Sequence, residues 1–411
     1  MVVDHEAGDL RRSIGLTGLV LYGLGVTIGA GIYVLVGETI VRAGPYAPAA
    51  FLLSAFVMGF TAASFAELSG RVPQAAGEAV YVEKSFGIRW LTVAVGLAVL
   101  IEAMIAAAAI AVGSAGYVGQ LIALPAEVLI IGIITLMATI AAWGIRQSVA
   151  IAGAMTLVEV SGLLIIIGLG LASDPGGIAA LPASLAPPVG DLSAISGVLA
   201  ASMIAFFAFI GFDDVVNLVE EARNPAKIMP WAIGITLLAV TVLYVLVSFV
   251  AMQTVSVAEM SATTAPISLL FERLTGLPSL AITVIAIIAT MNGVVIILIM
   301  AARVCYGMAR ENRLPAWLGV VSPGTQTPVR ATVITAALVL VLALFTPLDT
   351  LAETSSEVLL VIFAIVNLAL VRFKLKGIPA PQGIFTVHII FPIAGTFCCI
   401  ALVLGAALAG G

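Results

Sequence analysis

The residues best equipped for chemistry are carboxylates set inside long apolar runs. Glu102 sits in "LAVLIEAMIAAAAIAVG", Glu159 in "GAMTLVEVSGLLIIIG" and the Asp213–Asp214 pair in "FFAFIGFDDVVNLVEEARNP", with Glu357 in a further run. A charge at the centre of a bilayer costs about 2.5–3.5 kcal/mol on insertion scales, so acids at such places mark pathways or proton relays. A neutral acid is cheap to bury, and one that loads and unloads a proton can couple that proton to another event. Glu102 has no polar neighbour on its own helix, which suits it to shaping a pocket or supporting a relay. Glu159 could carry a proton or, ionised, attract a cation, and Asp213 joins it as a proton-coupling candidate. Glu38 and Glu67 fall near the ends of runs, where water can solvate them, and Glu353 also lies near an end. Thr290 and Asn292, mid-run in "IATMNGVVI", could complete a polar site or hydrogen-bond across helices.

Hydrolytic and metal chemistry find no support. His5 and His388 are far apart, no HExxH or serine–base constellation occurs, and Cys305, Cys398 and Cys399 read as small apolar packers. No enzyme activity, cofactor, resident metal or nucleic-acid partner is expected; the net charge of −5 is small for 411 residues.

A second chemical feature is backbone rather than side chain. "LYGLGVTIGAGIYVLVG" carries Gly23, Gly25, Gly29 and Gly31. The spacing falls short of the dinucleotide fingerprint, which needs a preceding strand and a soluble βαβ unit. Gly25 and Gly29 are spaced as GxxxG, a close-packing face of membrane helices. Gly29-Ala30-Gly31 also places two helix-weakening residues within one turn. The spacing therefore predicts a helix interrupted near its middle. The 202–225 segment repeats the pattern: apolar to Gly211, then acidic, with Asn217, Glu220 and Glu221 following at helical spacing. Two half-helices meeting near Ala208–Gly211 are expected there. A helix broken at the midplane presents N–H groups at one end and carbonyls at the other, a match for the carboxylate and ammonium of a zwitterion. Such backbone survives at that depth only where it lines a cavity.

The elements that must position these groups follow from composition. Only 9% of residues are charged, 62% are hydrophobic, and the mean hydropathy is +1.23. A soluble domain uses about 25% charged residues, so the chain reads as an all-α polytopic membrane protein with the lipid bilayer as its surroundings. Apolar runs between polar punctuation give eleven spans, roughly 15–42, 46–70, 90–120, 126–143, 148–172, 193–221, 230–251, 279–308, 329–346, 350–371 and 387–409. The polar, acidic "MVVDHEAGDLRRSIG" does not read as a cleaved signal peptide. With the N-terminus inside, all of the 17 Lys and Arg except Arg42 and Arg273 fall on the cytoplasmic side, and the C-terminus ends outside. Interrupted first and sixth spans, five helices apart, point to two five-helix repeats of opposite orientation, about 15–172 and 193–371, with an additional span at about 387–409. All of it forms one transmembrane domain over 1–411.

Four motifs, "GVTIGAGIYVLVG", "PQAAGEAVYVEKSFG", "FFAFIGFDDVVNLVEEARNP" and "RVCYGMARENRLP", occur in order from residue 25 to 315. With them the chain resembles the amino acid–polyamine–organocation (APC) superfamily, in particular bacterial relatives of the cationic amino acid transporters. The resemblance covers about residues 12–345. It implies a LeuT-type fold and secondary active transport of an amino acid or related amine across the cytoplasmic (inner) membrane. It places the substrate carboxylate at Ile28, Gly29, Ala30 and Gly31, with Thr27 just before, and the amino group at carbonyls of Phe207, Ala208 and Ile210. Aromatic residues beside that break cover the substrate: Phe207, with Phe206 and Phe209 as further candidates that could equally be packing. Glu102 falls where relatives carry a third-span Glu. Glu159 departs from the pattern, because many relatives have a lysine there, its ammonium occupying the place of a coupling sodium. Proton-coupled uptake is the expectation, with an amino acid/polyamine exchanger and then sodium symport as alternatives. Relatives often have at least twelve spans, the last two able to form dimer contacts, so no oligomeric state is implied here.

Overall fold

In the computed structural model, the residues described are 14–74, 77–143, 149–310, 312–322, 324, 325 and 327–410. His5, Arg11, Arg12, Arg146 and Pro323 lie outside them, as do the side chains of Ala30 and Asn217. The chain runs α1 (Leu16–Ala43), α2 (Ala47–Arg71), α3 (Gly77–Phe86), α4 (Arg89–Gly119), α5 (Ala126–Trp143) and α6 (Val149–Ser173). A one-turn α7 (Leu181–Ser184) leads to α8 (Leu192–Phe207) and α9 (Pro225–Thr254). Two short helices, α10 (Val257–Ala262) and α11 (Pro266–Thr275), precede α12 (Leu280–Arg310), α13 (Val329–Phe345), α14 (Leu348–Leu375) and α15 (Ile390–Gly410). The first residue described, Ile14, is pinned beside Ala222 by hydrogen bonds to Glu221 and from Arg223.

Seven helical stretches among the described residues are long and apolar enough to cross a membrane. Four shorter apolar stretches accompany them: Leu16–Gly29 within the continuous α1, Leu192–Phe207, Val329–Phe345, and Ile390–Ala406 within α15. Large apolar side chains on their outer faces, such as Phe56, Leu136 and Leu238, stay exposed, whereas the inner faces form two clusters of buried apolar residues. Helix α1 lies in the middle of this packing, against α6, α8, α9 and α12.

Three expectations need correction. The first span is not interrupted: α1 is one helix of 28 residues. Its glycines serve close approach instead. A Cβ on Gly31 would lie 2.3 Å from Ala208 Cα, and one on Gly25 2.1 Å from Thr156 Oγ1. Glycine weakens a helix by only about 1 kcal/mol, which packing on all sides overrides. The sixth span does break, but its far half is not an α-helix: α8 stops at Phe207, and after a turn a 3-10 segment covers Asp213–Leu218. Glu67 is not solvated. It is fully buried, bonded to Arg71 at 2.8 Å and Lys374 at 2.7 Å, and it accepts the Val387 N–H at 2.7 Å. The segment leading to α15 supplies that N–H, which a reading of α2 alone could not anticipate.

Candidate functional site

The break in the sixth span is built from hydrogen bonds that a helix would have made differently. Ala208, Phe209 and Ile210 each donate three residues back, to Ala205, Phe206 and Phe207. Gly211 then takes φ +113°, a conformation that L side chains rarely adopt, and a Cβ there would press on Val26 at 2.7 Å. The Gly211 N–H, which a continuing helix would direct at Phe207, goes to Asp213 Oδ1 at 3.1 Å. On the other side, Tyr244 of α9 holds its hydroxyl 2.8 Å from the Ala208 carbonyl and 2.9 Å from that of Thr27. One side chain thus ties the first, sixth and seventh spans together.

Between the middle of α1 and this break lies a narrow cavity with about 30 Å³ of free space, partly open to the outside. Thr27, Gly31, Glu102, Phe207 and Ile210 line it, together with Asp214. Its far wall is apolar, from Ile110, Ile296, Ile297 and Met300. Pockets with a few polar groups in an apolar lining are the usual form of a small-molecule site. Glu102 accepts the Ser355 hydroxyl at 2.7 Å, so α4 and α14 together orient one carboxylate on the cavity wall. Thr27 Oγ1 is buried and has no hydrogen-bond partner.

The remaining sequence candidates fall elsewhere. Ile28 is in the core, and Gly29 faces Glu159 and the Ala289 carbonyl. Ala208 backs onto Gly31. Phe206 packs on Phe363, with centroids 6.2 Å apart, and Phe209 on Tyr244 at 5.1 Å. Both are fully buried behind the break, while Phe207 turns toward the cavity. Glu159 stands apart from that cavity, on the opposite side of α1. Its Oε1 lies 3.4 Å from Asn292 Nδ2, and its Oε2 has no partner. Its backbone carbonyl accepts the Tyr33 hydroxyl at 2.6 Å. Thr290 bonds Ser114 across helices at 3.0 Å instead of joining Glu159. Among the described residues no group of three or more metal-ligating side chains comes together.

Sequence reasoning missed Tyr244 and Glu78. Tyr244 is a single hydroxyl in the apolar run of α9, and its two partners are 36 and 217 residues away. Glu78 of α3 hydrogen-bonds Asp213 in the break. The only local signal was an acid in the short segment between two spans.

Comparison with known proteins identifies the family. A family model described as amino acid permease matches residues 14–410. A vacuolar cationic amino acid transporter of Arabidopsis thaliana is 33% identical over 93% of this chain, which spans 66% of that relative's length. A branched-chain amino acid permease of Bacillus subtilis (strain 168) is 28% identical, over 94% of this chain and 88% of its own length. A methylthioribose transporter of the same organism is also 28% identical, over 91% of this chain and 83% of its own. The match over nearly every described residue places the chain among permeases rather than enzymes: it belongs to the amino acid permease family.

Proposed function

We propose that the chain is a secondary active transporter of amino acids or closely related amines, working by alternating access in a cytoplasmic membrane. The observation that carries this reading is the cavity between α1 and the broken sixth span, with Glu102, Thr27 and Phe207 on its wall. In this reading the eleven apolar elements all cross the bilayer, as two inverted five-helix repeats of the LeuT type plus α15. The end rich in Arg and Lys, which includes Arg71, Lys84 and Lys374, faces the cytoplasm. Because α1 is unbroken, the substrate carboxylate is not met by the N–H groups of a first-span break. The free hydroxyl of Thr27 is the donor offered from α1, and carbonyls around Phe207 and Ile210 are the acceptors for an amino group. The mixture of one buried carboxylate with an apolar far wall suits either a cationic or a branched apolar side chain. The relatives named for cationic and for branched-chain amino acids span the same two choices.

Proton coupling is the favoured mode. The orphan Oε2 of Glu159 is answered by a proton on the carboxyl or by a cation beside it. A hard cation takes at least six oxygen ligands in known carboxylate sites, whereas the side chain that hydrogen-bonds the Glu159 carboxyl is the amide nitrogen of Asn292. A single proton needs no such cage. Exchange without net ion movement remains the alternative that requires nothing of Glu159.

The test is uptake of labelled arginine, lysine, leucine and alanine into proteoliposomes, with an inward proton gradient imposed or abolished. Accumulation that follows the gradient, and is lost in Glu159→Gln while exchange persists, supports proton-coupled uptake. Uptake stimulated only by preloaded substrate, whatever the gradient, replaces it with exchange. No saturable uptake of any of the four removes amino acid transport itself.

A further inference from the structure

The short helix α3 is fixed at one end and rests on the broken span at the other. Near its C-terminal end, the Ser85 hydroxyl donates to Ala369 O at 2.9 Å, and the Ser85 carbonyl accepts from Arg372 Nε at 3.1 Å and Lys376 Nζ at 3.0 Å. The Arg372 guanidinium also lies over the Phe86 ring. These contacts clamp that end to α14. At the N-terminal end, the Glu78 carboxyl is hydrogen-bonded to Asp213 in the 3-10 segment, directly after the turn at Gly211. Between the two ends Tyr81 packs on Phe65, which in turn packs on Phe212 of the break. The Tyr81 hydroxyl, one turn from Glu78, is fully buried with no partner.

Two carboxyl groups joined by a hydrogen bond need a proton between them, since like charges in one site cannot both be ionised. Among the described residues, the charged groups that act directly on the pair are acids. From α4 comes Glu102, from the 3-10 segment Asp214, and from α1 the Tyr22 hydroxyl, which also feels Asp213, Asp214, Glu221 and the Arg303 of α12. The cations that α14 presents to α3, Arg372 and Lys376, are engaged at Ser85, at the opposite end of the helix.

We propose that Glu78 and Asp213 share one proton, and that this proton seats α3 on the broken sixth span and so keeps the Arg/Lys-rich end of the path shut. Loss of the proton to water leaves two carboxylates facing each other, and α3 lifts away from the break while its Ser85 end stays attached. Glu78 is thus a positioning residue. Its role in the transport cycle rests on the reading above; the proton-sharing itself does not. Burial and the neighbouring Asp213 carboxylate push the Glu78 carboxyl above its ordinary range. The sign follows: seating is fully present below the ordinary glutamate pKa of about 4.3 and is lost as pH rises toward the raised value.

Hydrogen–deuterium exchange of the full chain in lipid nanodiscs tests this. Exchange of the 77–86 backbone, corrected for the intrinsic pH dependence of the chemistry, is expected to rise with pH by up to about tenfold per unit, while α9 stays flat. Glu78→Gln still donates to Asp213 but has no proton to lose, so it flattens the profile and leaves α3 protected. Should that variant fail to fold, Asp213→Asn must flatten the same slope. A flat wild-type profile, or a slope that survives both substitutions, overturns the proposal. A protein that shows the slope but takes up no amino acid keeps the carboxyl pair and loses the transport reading. One that takes up substrate with a flat profile does the reverse.

Discussion

The first and sixth spans meet at the centre of the molecule, yet one is continuous and the other is not. Helix α1 carries four glycines between residues 23 and 31 and keeps its helix. The sixth span loses its helix around a single glycine, Gly211. Glycine content is therefore not what breaks a buried helix. What differs is whether the orphaned backbone groups find partners. In the sixth span Asp213 takes the Gly211 N–H and Tyr244 reaches the Ala208 carbonyl. Buried N–H and C=O groups without such partners cost about 1–3 kcal/mol each, so a helix with no side chain ready to answer them stays intact. The glycines of α1 instead let the break sit against it, with Ala208 in the space a side chain at Gly31 would fill.

The strongest way to break this comparison is Gly31→Leu. Its Cβ would have to displace backbone at Ala208, and a loss of about 3 kcal/mol or more is expected. Size-exclusion profiles after heating should show it, beside Gly132→Leu on α5, where a Cβ meets nothing within 4 Å. Equal survival of the two variants would remove close packing as the reason for Gly31. Next comes Gly211→Ala, which forces a side chain into φ +113°. About 1–3 kcal/mol of stability should be lost, read as a lower melting temperature, whereas a neutral result would mean the break does not depend on that conformation. Tyr244→Phe removes only a hydroxyl. It should cost about 1 kcal/mol and, more tellingly, raise hydrogen exchange in the 208–212 turn more than around Thr27, whose carbonyl loses the same donor but keeps its place in a continuous helix.

The smallest effect belongs to a region outside both spans. Ser256 and Glu259 form a reciprocal cap on α10, and Glu259 also pairs with Arg273. Hydrogen bonds from the Ser256 hydroxyl and N–H, with the Arg273 charge beside them, hold the Glu259 carboxyl below its ordinary range. A lowered pKa contributes stability above the ordinary glutamate range, lost as pH falls through the lowered value. Glu259→Ala should therefore match the parent in acid and show at most a slight deficit at neutral pH, with the exchange pattern of α1 and the sixth-span turn unchanged.

Much of the helix framework was legible in the sequence because apolar length is a local signal. Residues 126–143 were expected as a span and α5 is Ala126–Trp143; 329–346 became Val329–Phe345. The sixth-span break was legible too, from the switch at Gly211 to acidic residues. The continuity of α1 was not, because Gly29 and Gly31 serve a break and a packing face equally well until the neighbour is known. Of the candidate pocket, Thr27, Gly31, Glu102, Phe207 and Ile210 come together, while Phe206, Phe209 and Glu159 face other neighbours. Which way a ring turns beside an irregular backbone is decided by the partner surface, and Phe363 and Tyr244 are far away in sequence.

The buried bond between Glu67 and Val387 has a bearing on how the chain is made. Glu67 is synthesised with α2, but two of its partners, Lys374 and the Val387 N–H, emerge more than 300 residues later. Until then Arg71 alone attends it. A ribosome delivering this protein into a membrane therefore leaves an early helix with an unfinished polar cluster until the segment before α15 arrives. That cluster closes late and joins α2 to residues more than 300 positions further along the chain.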